Sequence, residues 1–153
     1  MKKGKLFRVR RIAKRYIEGC QKKQYGDLWN YSHILLQKNP ESYCKIKVKD
    51  KTIPEEPSVF DGIFVAYGCQ LRGFKEACRP FIGVDGTFLK SCMGGVLLSA
   101  TSRDANNQMY PLAIAIVTKE NKATWTWFLE CLLEALEVEN EKEYTFISDR
   151  QKV

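Results

Sequence analysis

The sequence is short of the residues from which many sites are built. It has one histidine, His33. It has six cysteines, Cys20, Cys44, Cys69, Cys78, Cys92 and Cys131, but no two of them form a Cys-x-x-Cys pair. A structural zinc site takes four Cys or His ligands at short paired spacings, so zinc is not expected. A disulfide framework belongs to secreted chains. With no apolar run behind the basic start Met1-Lys2-Lys3-Gly4-Lys5-Leu6, there is no signal peptide. The cysteines therefore read as reduced, mostly buried thiols. No apolar stretch approaches the roughly 20 residues that span a bilayer, so no membrane role is expected and the chain reads as soluble and intracellular. Repeats and low-complexity tracts are also missing.

What is present is an uneven charge. Residues 1–51 carry 15 Lys/Arg against 4 Asp/Glu, whereas residues 52–153 carry 10 against 14. A basic region beside a mildly acidic one suggests a polyanion-binding surface next to a separate domain, or simply solvated helix faces. The chain length suits one domain with an appendage.

The basic region reads as a helical hairpin. Val9, Ile12, Ala13, Tyr16, Ile17 and Cys20 fall on one helical stripe, with Arg8, Arg10, Arg11, Lys14 and Arg15 around it. A second helix is predicted from about Gln24 to Lys38, with Leu28, Trp29, Leu35 and Leu36 as its apolar positions, ended by Asn39-Pro40. Tyr43-Cys44-Lys45-Ile46-Lys47-Val48-Lys49 then alternates as a strand. Cys44, Ile46 and Val48 point one way; the ladder Lys45, Lys47 and Lys49 points the other. The lysines can meet phosphates or guard an edge strand, the second reading slightly preferred. Residues 51–58, with Pro54 and Pro57, read as a linker.

A short strand is predicted over Val59–Val65 and a helix over Tyr67–Cys78, stopped at Arg79-Pro80. Phe81–Asp85, Val96–Thr101 and Tyr110–Thr118 then read as three strands. Gly94-Gly95 and the polar run 103–108 join them as an antiparallel meander. Thr124–Val138 is a helix with Trp125, Phe128, Leu129, Leu132, Leu133 and Leu136 on its buried stripe and Glu130, Glu134, Glu137 and Glu139 opposite. Tyr144–Asp149 is a strand reached through that helix, so it should pair in parallel. The regions are thus 1–51, a basic helical part with an edge strand; 52–80, a linker, strand and helix; and 81–153, an α/β core.

Asp85 and Asp149 stand out, because each ends an apolar strand where sites form in open α/β sheets. If those two strands are neighbours the carboxylates converge and call for a cation. Mg²⁺ suits them, and a pair of such ions clamps an in-line phosphoryl displacement. Asp also starts turns and caps helices, so the two residues alone leave that open.

The runs Asp85-Gly86-Thr87-Phe88-Leu89-Lys90 with Gly94-Gly95-Val96-Leu97-Leu98, then 103–113, Glu120-Asn121-Lys122-Ala123-Thr124-Trp125-Thr126-Trp127-Phe128-Leu129, and Ile147-Ser148-Asp149-Arg150-Gln151-Lys152, resemble in order four blocks of Mutator-like (MULE) transposases. Residues 7–50 and 74–80 resemble, less specifically, the segments that precede that core. The resemblance implies an RNase H-like fold and DDE-type DNA transposition. In that chemistry a metal-activated water hydrolyses the phosphodiester at a transposon end, and the freed 3′ hydroxyl attacks target DNA. It implies Mg²⁺ or Mn²⁺ in the intact enzyme, held by Asp85 and Asp149 with a third acid, usually Glu on a later helix. It also places Arg150 beside phosphate, with no assigned role.

The family's third acid, the rest of its sheet and its zinc-binding segments have no counterpart here. The expectation is a fragment with a truncated RNase H-like core: inactive alone, holding no metal tightly, prone to self-association, and nuclear. The import signal behind that location, Lys2-Lys3-Gly4-Lys5 with residues 8–15, is weak. Two readings compete. One is a domesticated DNA-binding module without catalysis, using residues 2–23 and the lysine ladder. The other is a nuclease that recruits its third acid from elsewhere, with Glu130, Glu134 and Glu137 at hand. Asp104 lies in a matching block but reads as a turn former.

Overall fold

A computed structural model describes residues 7–10, 12–13, 21–50, 55, 57–90, 94–138 and 144–149. It divides into two compact units, Met1–Tyr31 and Ser32–Val153. Within the first, residues 7–10 and 12–13 are helical, and Phe7, Val9 and Ile12 are exposed. Helix α1 spans Gln21–Gly26. Helix α2, Leu28–Lys38, runs across the boundary between the units. Of the four apolar positions expected on that helix only Leu35 is buried; Trp29 and Leu36 are exposed.

The second unit is a mixed α/β structure built on one six-stranded sheet. The strands are β1 (Tyr43–Val48), β2 (Phe60–Ala66), β3 (Phe81–Phe88), β4 (Val96–Arg103), β5 (Met109–Val117) and β6 (Thr145–Ser148). Their spatial order is β1-β2-β5-β4-β3-β6. Strands β3, β4 and β5 pair antiparallel as the glycine and polar turns suggest, and β6 joins β3 in parallel. The turn chemistry explains the meander. Gly94 and Gly95 have φ of 67° and 101°, the left-handed region that a side chain disfavours. At the other turn, Asp104 Oδ1 accepts from the Gln108 N–H at 2.8 Å, and Asn107 is left-handed with φ 63°. Asp104 is therefore a turn former in the structure.

Two expectations change. Strands β1 and β2, which the sequence reading sets in separate regions, belong to the same sheet as the core. They pair with each other, and β2 docks on β5 through Gly62↔Val117 to Val65↔Ile114. Charge and proline content mark the loop between them, but backbone pairing runs straight past that loop. The cysteines are also less buried than expected: of the described ones, only Cys131 is buried, and Cys69 is exposed.

Two helices, α3 (Gly68–Ala77) and α4 (Lys122–Leu136), supply the apolar side chains that cover the sheet. Leu71 and Phe74 of α3, and Trp127, Phe128, Cys131, Leu132, Ala135 and Leu136 of α4, are buried with Phe64, Ile82, Leu98 and Val117. The buried stripe of α4 is thus rotated from the expected one, with Trp125, Leu129 and Leu133 only half-buried. Each fully buried large side chain contributes about 1.5–3 kcal/mol. Helix α4 starts at a capping box. The Asn121 side chain accepts from the Thr124 N–H, and the Thr124 hydroxyl accepts from the Asn121 N–H. Among the described residues no helix is long and apolar enough to cross a membrane.

Candidate functional site

The register between β3 and β6 brings the two aspartates to the same end of adjacent strands. The parallel pairs run Phe81↔Thr145, Ile82↔Phe146, Gly83↔Ile147 and Val84↔Ser148. The next residues along the two strands are Asp85 and Asp149. Adjacent strands lie about 4.8 Å apart, and residues in register share a face. Alternation then fixes which face. Ile82 and Val84 pack toward the core under α3 and α4, so Asp85 emerges on the opposite side, where it is exposed, as is Asp149.

Asp85 does not end its strand. Strand β3 continues to Phe88, paired with Val96. Only its partnership with β6 stops at Val84, because the β6 side runs out at Ser148. The carboxylate therefore sits inside the sheet on its β4 side and at the sheet's margin on its β6 side. Its Oδ1 accepts from the Gly86 N–H at 2.8 Å. Across the antiparallel pair stands Ser99, whose hydroxyl donates to the Asp85 carbonyl at 3.3 Å. Asp85 thus has Asp149 on one flank and Ser99 on the other.

The basic residues fall elsewhere. Arg8 and Arg10 are exposed on the helical residues 7–10. Arg11, Lys14, Arg15 and Arg150 lie outside the described residues. Lys49 is exposed just past β1. Lys45 and Lys47 are engaged within the fold. Lys45 Nζ lies 3.1 Å from Glu134 Oε2 of α4, and Lys47 Nζ lies 3.8 Å from Asp61 Oδ2 and 5.6 Å from the Trp127 ring centroid. The ladder side of β1 is the side facing α4, because Lys45 stands opposite the buried Phe64. Glu130 and Glu134 lie on α4, and Glu137 is its left-handed C-cap. Among the described residues no group of three or more His, Cys, Asp or Glu is arranged to hold a metal ion.

Four residues around Asp85 were given no role of their own in the sequence: its cross-strand partner Ser99, the adjoining Gly86, and Glu120 and Trp125 against Gly86. Ser99 is one polar residue within a strand, and only register brings it to Asp85. Glu120 and Trp125 sat in a recognisable block, but no periodicity links them to residue 86.

No curated protein and no solved structure matches the chain. Residues 81–153 match the family model described as the MULE transposase domain. The matched segment contains both aspartates and the strands β3 to β6.

Proposed function

We propose that residues 81–149 form the opening part of an RNase H-like, DDE-type DNA transposase core, with Asp85 and Asp149 as two of its metal-binding acids. The β3–β6 register carries this reading: it pairs Val84 with Ser148, the residues just before the two aspartates, and both aspartates are exposed. Adjacent carboxylates repel unless a cation neutralises them. An all-oxygen pair suits Mg²⁺ or Mn²⁺, which take one or two carboxylates and fill the remaining positions with waters and phosphates. When bound, such ions polarise water and clamp the attacking and leaving oxygens of an in-line displacement at phosphorus.

The chain's own residues do the holding. The Gly86 N–H orients the Asp85 carboxylate, and β6 leads Asp149 out beside β3. Arg8, Arg10, Arg11, Lys14, Arg15, Lys49 and Arg150 are the phosphate partners in this reading. Lys45 and Lys47 join them only by leaving Glu134 and Asp61. The third acid comes from outside the described residues. The chain alone is then expected to be inactive, acting on DNA in the nucleus only as part of a complete catalytic centre, with self-association as one route to completion.

Mn²⁺ titration followed by site-resolved NMR line broadening tests the metal reading. Broadening centred on residues 84–86 and 148–149, lost in Asp85→Asn, is expected; broadening elsewhere or none at all would sink it. A supercoiled-plasmid assay tests inactivity, which metal-dependent nicking abolished by Asp85→Asn would disprove. The exposed Arg8 and Arg10 favour a second reading, a DNA-binding module without catalysis. Its mark is DNA affinity that falls steeply with salt and is unchanged by Asp85→Asn.

A further inference from the structure

The block Glu120–Leu129 has no task in the chemistry above, yet it meets the strand that carries Asp85. Glu120 Oε1 accepts from the Trp125 indole N–H at 3.1 Å. The capping box of Asn121 and Thr124 fixes the turn between them. A Cβ placed on Gly86 would lie 3.0 Å from Glu120 Oε1 and 3.4 Å from Trp125 Cζ2. The carboxylate and the indole edge are therefore in close contact with Gly86 from the helix-covered side. On the other side the Gly86 N–H is the donor that orients the Asp85 carboxylate.

We infer that Glu120 and Trp125 form a shelf behind Gly86 that sets the position of the Asp85 carboxylate, making both of them positioning residues for the proposed metal centre. The inference rests on the metal reading for its purpose, but its geometry stands without a metal. Three features act together. The capping box holds the helix start, the indole hydrogen bond pins the Glu120 side chain, and the missing side chain at residue 86 lets the shelf approach the backbone. A residue with a Cβ at 86 would make the Glu120 carboxylate and the indole edge give way by a few tenths of an ångström.

The test uses the full chain with Glu120→Ala, Glu120→Gln, Trp125→Phe and Asp85→Asn. The first readout is metal-free: the Gly86 amide proton shift and the Asp85 carboxyl carbon shift. Glu120→Ala and Trp125→Phe should move both signals, while Glu120→Gln, which keeps an acceptor for the indole N–H, should restore them. Unchanged signals in Glu120→Ala, with its melting temperature at the wild-type value, would overturn the shelf. So would shifts of equal size in Glu120→Gln.

The second readout is Mn²⁺ affinity at residues 85 and 149, expected to fall about 3- to 10-fold in Glu120→Ala and to recover in Glu120→Gln. Full affinity in Glu120→Ala beside lost affinity in Asp85→Asn would refute the shelf and leave the metal reading intact. No Mn²⁺ effect at those residues in the wild type, with the metal-free shifts as expected, would refute the metal reading and leave the shelf.

Discussion

Lys45 of the edge strand sits with its ammonium 3.1 Å from a Glu134 carboxylate oxygen on α4, and the same carboxylate accepts from the Tyr43 hydroxyl. The Tyr43 hydrogen bond first, and Lys45 second, hold Glu134 below the usual carboxylate range; Glu134 in turn pushes Lys45 up. Both charged side chains are about half exposed, at 44% and 52%, so salt should screen the pair strongly. A Lys45→Ala/Glu134→Ala double-mutant cycle is expected to show coupling at low salt that vanishes at high salt. In DNA binding, Lys49→Ala should lower the magnitude of the salt slope by roughly 0.9, and Lys45→Ala should do less. Equal slopes for the two variants would show that Lys45 leaves Glu134 for phosphate.

Alkaline pH should loosen this same corner. Burial, then the hydrogen bond to Glu134, pushes Tyr43 up to about 12, and burial pushes Cys131 up to about 11. In both cases the fold favours the neutral form. That contribution is fully present below the unfolded values, 9.0 for the thiol and 10.0 for the phenol, and is lost as pH rises through the folded ones. Melting temperature should therefore fall across pH 9–12. Tyr43→Phe should flatten the upper part of that fall, and an unchanged profile would count against the phenol.

The aspartate pair makes a prediction of opposite sign with and without metal. Like charges at adjacent strand positions cost about 0.2–1 kcal/mol. Asp85→Asn should therefore raise stability by about that much in EDTA, measured by urea unfolding, and should abolish stabilisation by Mn²⁺. A variant destabilised in EDTA would mean that the carboxylates do not face each other.

Packing and turn variants test the fold itself. Phe128→Ala removes a fully buried ring between Phe64 and Trp125, whose centroids lie 5.5 and 5.8 Å from its own. It should cost about 3–5 kcal/mol in urea unfolding. Gly95→Ala meets both a φ of 101° and the Val117 carbonyl 3.0 Å from the added Cβ. It should cost more than about 1 kcal/mol, whereas a loss within error would mean that the turn can remodel.

The sequence was most legible where local chemistry and pattern agreed. Gly94-Gly95 and the run around Asp104 announced two turns of the meander, and the apolar stripe announced the helix over 124–138, though not its cap at Asn121. Asp85 and Asp149 were readable as a pair because an apolar run leads into each of them, although β6 itself is exposed. Less legible was anything set by pairing between distant segments. The alternation of β1 shows two faces but not which one meets a helix, so Lys45 and Lys47 read as solvent-facing although Glu134 and Trp127 receive them. Asp85 read as a strand end because Gly86 breaks the apolar run, yet pairing with β4 carries the strand on to Phe88. The proline-rich loop read as a boundary because composition changes there, while backbone hydrogen bonds ignore composition.

Strand β2 fills the edge of β5, and residues 62–65 are its pairing partners there. The stretch of chain that matches the transposase-domain model, residues 81–153, therefore leaves out a strand of the sheet it belongs to. Severing the chain before Phe81 would bare a row of β5 backbone amides and carbonyls flanked by Ile114 and Ile116, a template for strand addition between molecules. The matched segment and the six-stranded sheet thus have different boundaries, and β2 lies at the border between them in the strand order.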